Sequence, residues 1–191
     1  MAPSQVPPLP RLRRVHVFGA SGSGTTTLGR AVAGALGVPH LDTDDFYWVP
    51  TDPPYRRKRP VGARLAALGA ALDAAGEGWV LSGSLCGWGD PLTARFQLAV
   101  YLSVAPDERL RRLAARERRR YGAARLSPGG DMAEAHAEFM AWAARYEDGG
   151  PDVRSRARHE RWLATLPCPV LRLDGAAPVE ALRDAVIAAA G

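Results

Sequence analysis

Short apolar runs and helix-period patterns alternate along this chain. A run at 14–18 ends in glycines and leads into a pattern in which Leu28, Val32 and Leu36 share one face, predicting a strand, a tight loop and a helix over 26–36. Gly37 stops that helix, and 38–42 reads as a second strand. Strand, helix and strand at this spacing form a βαβ unit, which implies a parallel sheet with right-handed crossovers. Further strands are expected at 79–84, 98–104 and 170–174. Between them lie a helix over 61–75 and one opened by Pro106, where Asp107 and Glu108 complement the helix N-terminus. Another is expected over 132–146, with Phe139, Trp142 and Tyr146 on one face. The segment 153–163 reads as a helix, and Val179, Leu182 and Val186 mark a closing one.

The loop after the first strand carries the clearest chemistry. Gly19 and Gly24 occupy the two glycine positions of the pattern G-x-x-x-x-G-K-[ST], and Thr26 its last hydroxyl position, while Thr25 stands where the lysine belongs. Such glycines let successive N–H groups converge on a phosphate at the positive end of the following helix. Gly19, Ser21, Gly22, Ser23, Gly24, Thr25, Thr26 and Thr27 are therefore the expected nucleotide-binding residues. Thr26 is also a candidate Mg²⁺ ligand. Thr25 carries no charge to reach the outer phosphates, so transition-state charge requires another cation.

The second strand ends in Asp42-Thr43-Asp44-Asp45-Phe46-Tyr47-Trp48, at the strand edge where open α/β sheets bind ligands. Asp42 or Asp44 can hold Mg²⁺ through water, and Asp44 or Asp45 can take a proton from an acceptor hydroxyl or hold a sugar. A helix N-cap beside packing aromatics would use the same residues. Residues 49–60 read as a proline-bounded loop whose Arg56, Arg57 and Arg59 either clamp an anionic acceptor or form a solvated surface. The third strand ends in Ser82 and Ser84, where many nucleotide-binding sheets carry a carboxylate, so metal support falls to Asp42–Asp45. Arg109, Arg112 and Arg116 repeat on one helix face and can replace the missing lysine charge, or can be a solvated basic face. Glycine-flanked segments after 121 suggest a lid that closes over phosphates. His159 has no ligand-spaced partner and reads as an exposed helix histidine.

Composition narrows the class. With 191 residues and 47% hydrophobic content the chain fits one domain, 14–191, preceded by a proline-rich extension at 1–13 expected to be disordered. Within the domain, 46–76 is the expected acceptor-side insertion and 117–160 the lid region. A net charge of +5 suits phosphorylated metabolites. The basic runs at 56–59 and 116–120 lack interleaved aromatics, which counts against nucleic acid. No 18-residue apolar run could span a membrane, and Cys86 and Cys168 form no disulfide or metal pattern, which points to a reducing cytoplasm.

The order of elements resembles the adenylate kinase-like branch of P-loop proteins, which includes nucleoside and small-metabolite kinases. The resemblance is carried by 19–27, by Leu41-Asp42-Thr43-Asp44-Asp45, and by 104–116, and it covers most of 14–190. It implies a three-layer α/β fold with a five-stranded parallel sheet, a lid insertion, and transfer of the γ-phosphoryl group of Mg²⁺-bound ATP to a small acceptor. It also implies that Arg112 and Arg116 lead into the lid, and that Arg154 and Arg156 are placed like lid arginines that close on the transferring phosphate. Thr25 and Ser82-Gly83, in place of the family's lysine and Asp-Gly, leave a nucleotide-binding protein with little or no turnover as the alternative.

Overall fold

In β1 (Arg14–Gly19) alternate side chains face opposite sides of a sheet, Val15 and Val17 one way and Phe18 the other, and this alternation places the helices. The structure, a computed structural model, describes residues 12–150 and 152–191. The expected extension therefore lies outside the described residues up to position 11. Leu12 and Arg13 already belong to the fold: Leu12 N donates to Ala190 O at 2.9 Å and Arg13 N to Gln97 Oε1 at 2.8 Å.

After β1 the chain forms α1 (Thr25–Leu36), β2 (His40–Asp42) and α2 (Thr43–Tyr47). A small hairpin of β3 (Trp48–Val49) and β4 (Arg57–Lys58) follows, where the sequence suggests only a loop. Next come α3 (Val61–Ala74), β5 (Trp79–Ser82), a 3₁₀ turn (Asp90–Arg95) and β6 (Leu98–Ser103). The C-terminal half holds α4 (Pro106–Tyr121), α5 (Ala123–Leu126), α6 (Ala133–Ala144), α7 (Arg156–Leu163), β7 (Val170–Asp174) and α8 (Val179–Ala190).

The main sheet has five parallel strands in the order β2-β5-β1-β6-β7. On one face α1 and α8 bury Leu28, Val32, Leu36, Leu182 and Val186 against Val15, Val17, Val80 and Val100. On the other, Leu68 and Leu72 of α3 and Trp162 and Leu163 of α7 pack on Phe18, Trp79, Leu81, Phe96 and Tyr101. Each fully buried side chain of this size is worth about 1.5–3 kcal/mol. The part of 46–76 formed by α3 is thus core, and only the hairpin projects toward the strand ends. β1 lies between β5 and β6, and the chain moves from one side of β1 to the other, so a crevice opens at the carboxyl ends of the strands.

Candidate active site

The loop from Gly19 to Gly24 lies at the floor of that crevice. Gly24 caps α1 with φ 95° and no atom lies within 4 Å of where a Cβ would stand, so the conformation needs glycine and the space beside it is open. Leu28 N is the first amide of α1 bonded within the turn, to Gly24 O at 3.0 Å, which leaves Thr25, Thr26 and Thr27 with N–H groups free of helical acceptors. No acidic residue occupies this first turn, so the positive end of α1 is not neutralised from within. Ser21, Gly22, Gly24, Thr25, Thr26 and Thr27 line the cleft together with Ser23, whose side chain is buried beneath the loop. Gly19 lies behind them, with Leu102 O and Ser23 Oγ filling the place of a side chain.

Asp42 ends β2 and binds three donors. Its Oδ2 accepts from Thr26 Oγ1 at 2.8 Å and Ser82 Oγ at 3.1 Å, and its Oδ1 accepts from Asp44 N at 3.1 Å, the N-cap bond of α2. Asp42 is therefore both a cap and a partner of the loop. Because Ser82 gives its proton to Asp42, its oxygen accepts from His40 Nε2 at 3.0 Å, which extends the network to the start of β2. Thr26 likewise directs its proton to Asp42 and keeps its lone pairs for a cation. Among the described residues no group of three or more His, Cys, Asp or Glu could hold a metal. One hydroxyl with one carboxylate behind it suits Mg²⁺, which takes most of its ligands from phosphate and water.

Two residues further on, Asp44 lines the same cleft. Water can touch it, yet surrounding protein crowds it, and this desolvation, followed by the charge of Asp42, raises its carboxyl above the usual value. Arg154, a hydrogen bond from Trp48 and Arg116 pull the other way. Asp45 lines the same cleft and is exposed.

The arginines separate into groups. Arg112 binds Glu108 at 2.7 Å and Gly175 O at 2.8 Å, and Arg116 lies 3.5 Å from Glu117; both line the cleft. Arg109, on the same predicted face, is buried, with Nη1 on Ser21 O at 3.2 Å and Nη2 on Ala143 O at 2.9 Å, so it supports the loop from outside the cleft. Arg156 does not line the cleft; it pairs with Glu147 at 2.5 Å, which corrects its expected place among the arginines facing the phosphates. Arg154 does face the cleft, its Nη2 on Gly19 O at 3.3 Å and its guanidinium 5.7 Å from the Trp142 ring.

The cleft measures ≈ 1440 Å³, and ten arginine or lysine side chains line it against six carboxylates, which makes it a site for anions. Its far wall is aromatic and cationic: Tyr47, Trp48, Tyr55 and Trp88 lie there, with Arg64 3.8 Å from the Tyr47 ring. Arg64 was not anticipated, although it stands in helical phase with Leu68 and Leu72 on the buried face of α3. Arg119 and Arg120 of the basic run turn toward the cleft, Arg120 lying 5.1 Å from the Tyr55 ring.

His159 is not exposed. It is fully buried, its Nδ1 2.8 Å from Tyr146 OH and its Nε2 3.0 Å from Ser84 Oγ, and Tyr146 OH lies 2.9 Å from Tyr101 OH. This chain ties α7 to the end of α6 and to the loop after β5. The missed signal is the helical spacing of Ser155, His159, Trp162 and Leu163, all buried, among exposed or half-exposed charges.

The chain matches the family described as AAA domain over residues 15–136. It is 43% identical over 175 residues to the uncharacterized protein YqaC of Bacillus subtilis (strain 168), an alignment covering 92% of this chain and 96% of that protein. Among solved structures it is similar to a gluconokinase from Sinorhizobium meliloti 1021, with TM-score 0.52, 18% identity, and 94% of this chain and 91% of the other covered. It is also similar to shikimate kinase from Acinetobacter baumannii in complex with shikimate, with TM-score 0.53, 16% identity, and coverage of 92% and 91%. These likenesses show a kinase-like P-loop fold.

Proposed function

This chain belongs to the AAA domain family with a P-loop kinase-like fold, and we propose that it moves the γ-phosphoryl group of ATP to a nucleotide, a nucleoside or a small metabolite. One observation carries the reading. Thr26 and Asp42 are joined at 2.8 Å, and Asp44 follows within two residues, so the phosphate loop, the metal-side pair and an acceptor-side carboxylate face one cleft.

In this reading the amides from Ala20 to Thr26 hold the phosphates, and Thr26 and Asp42 would hold Mg²⁺, which would supply neutralising charge to the phosphates. Asp44 receives the acceptor's hydroxyl proton as the new O–P bond forms and the bond to the bridging oxygen of ADP breaks. Its raised pKa makes it a better base than an ordinary carboxylate. Arg112 and Arg116, on the helix that leads toward α6, line the cleft and stabilise transferred charge. Asp45 orients the acceptor from the cleft mouth. The hairpin and the segment 117–160 enclose the two substrates and exclude water. No helix among the described residues is long and apolar enough to cross a membrane, and free Cys86 and Cys168 accord with the reducing cytoplasm proposed for this chain.

Thr25 and Ser82 favour the second reading, a nucleotide-binding protein with little turnover. The two separate on ADP formation from Mg²⁺-ATP across a panel of nucleoside monophosphates, nucleosides and hydroxy acids. Acceptor-dependent ADP supports the phosphotransferase, while binding of ATP with no acceptor-dependent ADP supports the second reading.

A further inference from the structure

We propose that the acceptor seated beside Asp44 carries a planar aromatic ring, which stacks on Trp48 and Tyr55 of the hairpin formed by β3 and β4. This names an acceptor class for the phosphotransferase reading and rests on it, although the binding itself needs no ATP.

The hairpin adds little to the core: Trp48 and Val49 are half-buried, and Arg57 and Lys58 are exposed. It carries rings into the cleft next to Asp44 instead. Trp48 hydrogen-bonds the Asp44 carboxyl, and Tyr55, in the turn between the two strands, lines the same cleft. Burial raises the Tyr55 hydroxyl above its usual value; Arg120 opposes this and Asp44 adds to it, so ring and carboxylate face one space. An acceptor whose hydroxyl meets Asp44 therefore lays its body against these rings.

The rings are arranged for a flat ligand. Tyr47 with Trp48, Trp48 with Tyr55, and Tyr47 with Trp88 meet edge-on, their centroids 4.9, 5.9 and 5.9 Å apart and their planes at 63°, 70° and 68°. In none of these pairs do two faces stack, which leaves faces for the offset stacking that aromatic rings favour. Among the described residues Tyr55 is the one non-glycine with positive φ, at 65°, a conformation that bulky side chains rarely adopt, yet its ring stays 38% exposed. The turn thus bears backbone strain for a side chain that packing does not require. Arg120 lies 5.1 Å from the Tyr55 ring and Lys58 6.0 Å from the Trp48 ring. Among the described residues neither cation is in an ion pair, which suits a ring joined to an anionic group.

The wall is braced before a ligand arrives. Arg64 is buried, its guanidinium 3.8 Å from the Tyr47 ring and its Nε donating to Arg59 O at 2.7 Å, while Arg59 N donates to Tyr47 O at 2.9 Å. These bonds tie α3, α2 and the hairpin together, so ordering the rings costs binding little. A sugar acid needs several converging hydrogen-bond partners, and this wall offers ring faces and cations. Sheet order also separates the wall from the far side of the phosphate loop. The hairpin follows β2 at one edge, the loop follows the central β1, and Gly175, Ala177 and Val179, which line the cleft after β7, belong to the other edge.

The ring has two sources, a nucleobase on ribose or an aromatic alcohol, and titration calorimetry of the full chain separates them. The ligands are the four common nucleoside monophosphates and pyridoxine, with ribose 5-phosphate and gluconate as controls without an aromatic ring. At least one ring-bearing ligand should bind about 10-fold or more tightly than both controls. Tyr55→Asn and Trp48→Leu should each weaken that ligand roughly 5- to 100-fold, with Mg²⁺-ATP affinity changed less than about 3-fold. Asparagine accepts positive φ, so Tyr55→Asn should unfold at no lower urea concentration than the wild type. Controls that bind as tightly as every ring-bearing ligand, or ring binding that both variants leave unchanged, would overturn the proposal. So would an equal loss of ATP, which would give the wall to the donor's base, or a Tyr55→Asn chain that unfolds clearly earlier, which would make the ring a packing element. A ring-bearing ligand that binds through these residues but takes no phosphoryl group from ATP would end the phosphotransferase reading and leave the ring site standing. A phosphorylated control with no ring-bearing ligand bound would do the reverse.

Discussion

Acidification from pH 7.5 to 5.0 should cost the fold about 4 kcal/mol, through two histidines held neutral inside it. His16 and His159 are both 0% exposed. His16 lies stacked between Phe18 and Phe96, with ring centroids at 5.2 and 4.7 Å, its Nδ1 3.1 Å from Leu81 O and its Nε2 unpartnered. Burial pushes it from 6.5 to about 3, against a smaller opposing effect of the Leu81 carbonyl. His159 falls to about 3 mainly by burial, and then by the charges of Arg154, His16 and Arg158. Both folded-state values lie below the unfolded value of 6.5, so between 3 and 6.5 the unfolded chain binds more protons and falling pH favours unfolding. At pH 5.0 each histidine is 1.5 units below its unfolded value, worth about 2 kcal/mol, and a folded value of 4 instead of 3 would hardly alter this. Together they remove a large share of the ~5–15 kcal/mol typical of a domain. His40 is lowered too and adds in the same direction, whereas Asp44, raised, gains stability as pH falls through its folded value. Urea unfolding followed by tryptophan fluorescence at both pH values measures the difference. His16→Asn and His159→Gln should each remove about half of the pH dependence, whatever they cost at pH 7.5. Flat wild-type stability over this range, or unchanged pH dependence in both variants, would refute the reasoning.

Asp42→Asn should leave the fold intact but lower Mg²⁺-supported ATP affinity by roughly 10- to 100-fold, because an amide cannot accept from Thr26, Ser82 and Asp44 N together; titrating ATP with and without Mg²⁺ checks this. Gly83→Ala should destabilise by roughly 2 kcal/mol or more, since φ is +98° and the added methyl would overlap Thr43 Oγ1; urea unfolding reads the loss, and a change within about 0.5 kcal/mol would contradict it.

The parts of this molecule that were legible in advance are those in which one chemical requirement fills a contiguous stretch. The central strands β1, β5 and β6 are buried almost throughout and stand out as apolar runs, whereas the edge strands β2 and β7 are half-buried and were legible from their spacing between helix patterns; the glycine loop announces itself because both glycines and Thr26 fall within eight residues. Asp42 and Asp44 were visible for the same reason, although only the geometry shows that Asp42 acts as cap and loop partner at once. Strand order was not visible, because it is decided by which strands pair across the sheet. The hairpin of Trp48–Val49 with Arg57–Lys58 was missed because two residues are too few to show a period. His159 was misread because Arg156, Arg158 and Arg161 give α7 a strongly polar composition that hides the buried face formed by Ser155, His159, Trp162 and Leu163. Arg154 and Arg156 look alike in sequence, and only the position of Glu147 shows which one is left to face the cleft.

The central claim, transfer of a phosphoryl group within this cleft, is tested most directly with γ-³²P-labelled ATP and the acceptor panel, running wild type beside Asp44→Asn. Label on an organic acceptor for the wild type, reduced at least about 100-fold in Asp44→Asn with ATP affinity retained, is the expected result. Label appearing only as inorganic phosphate, or transfer that Asp44→Asn leaves intact, would contradict the account.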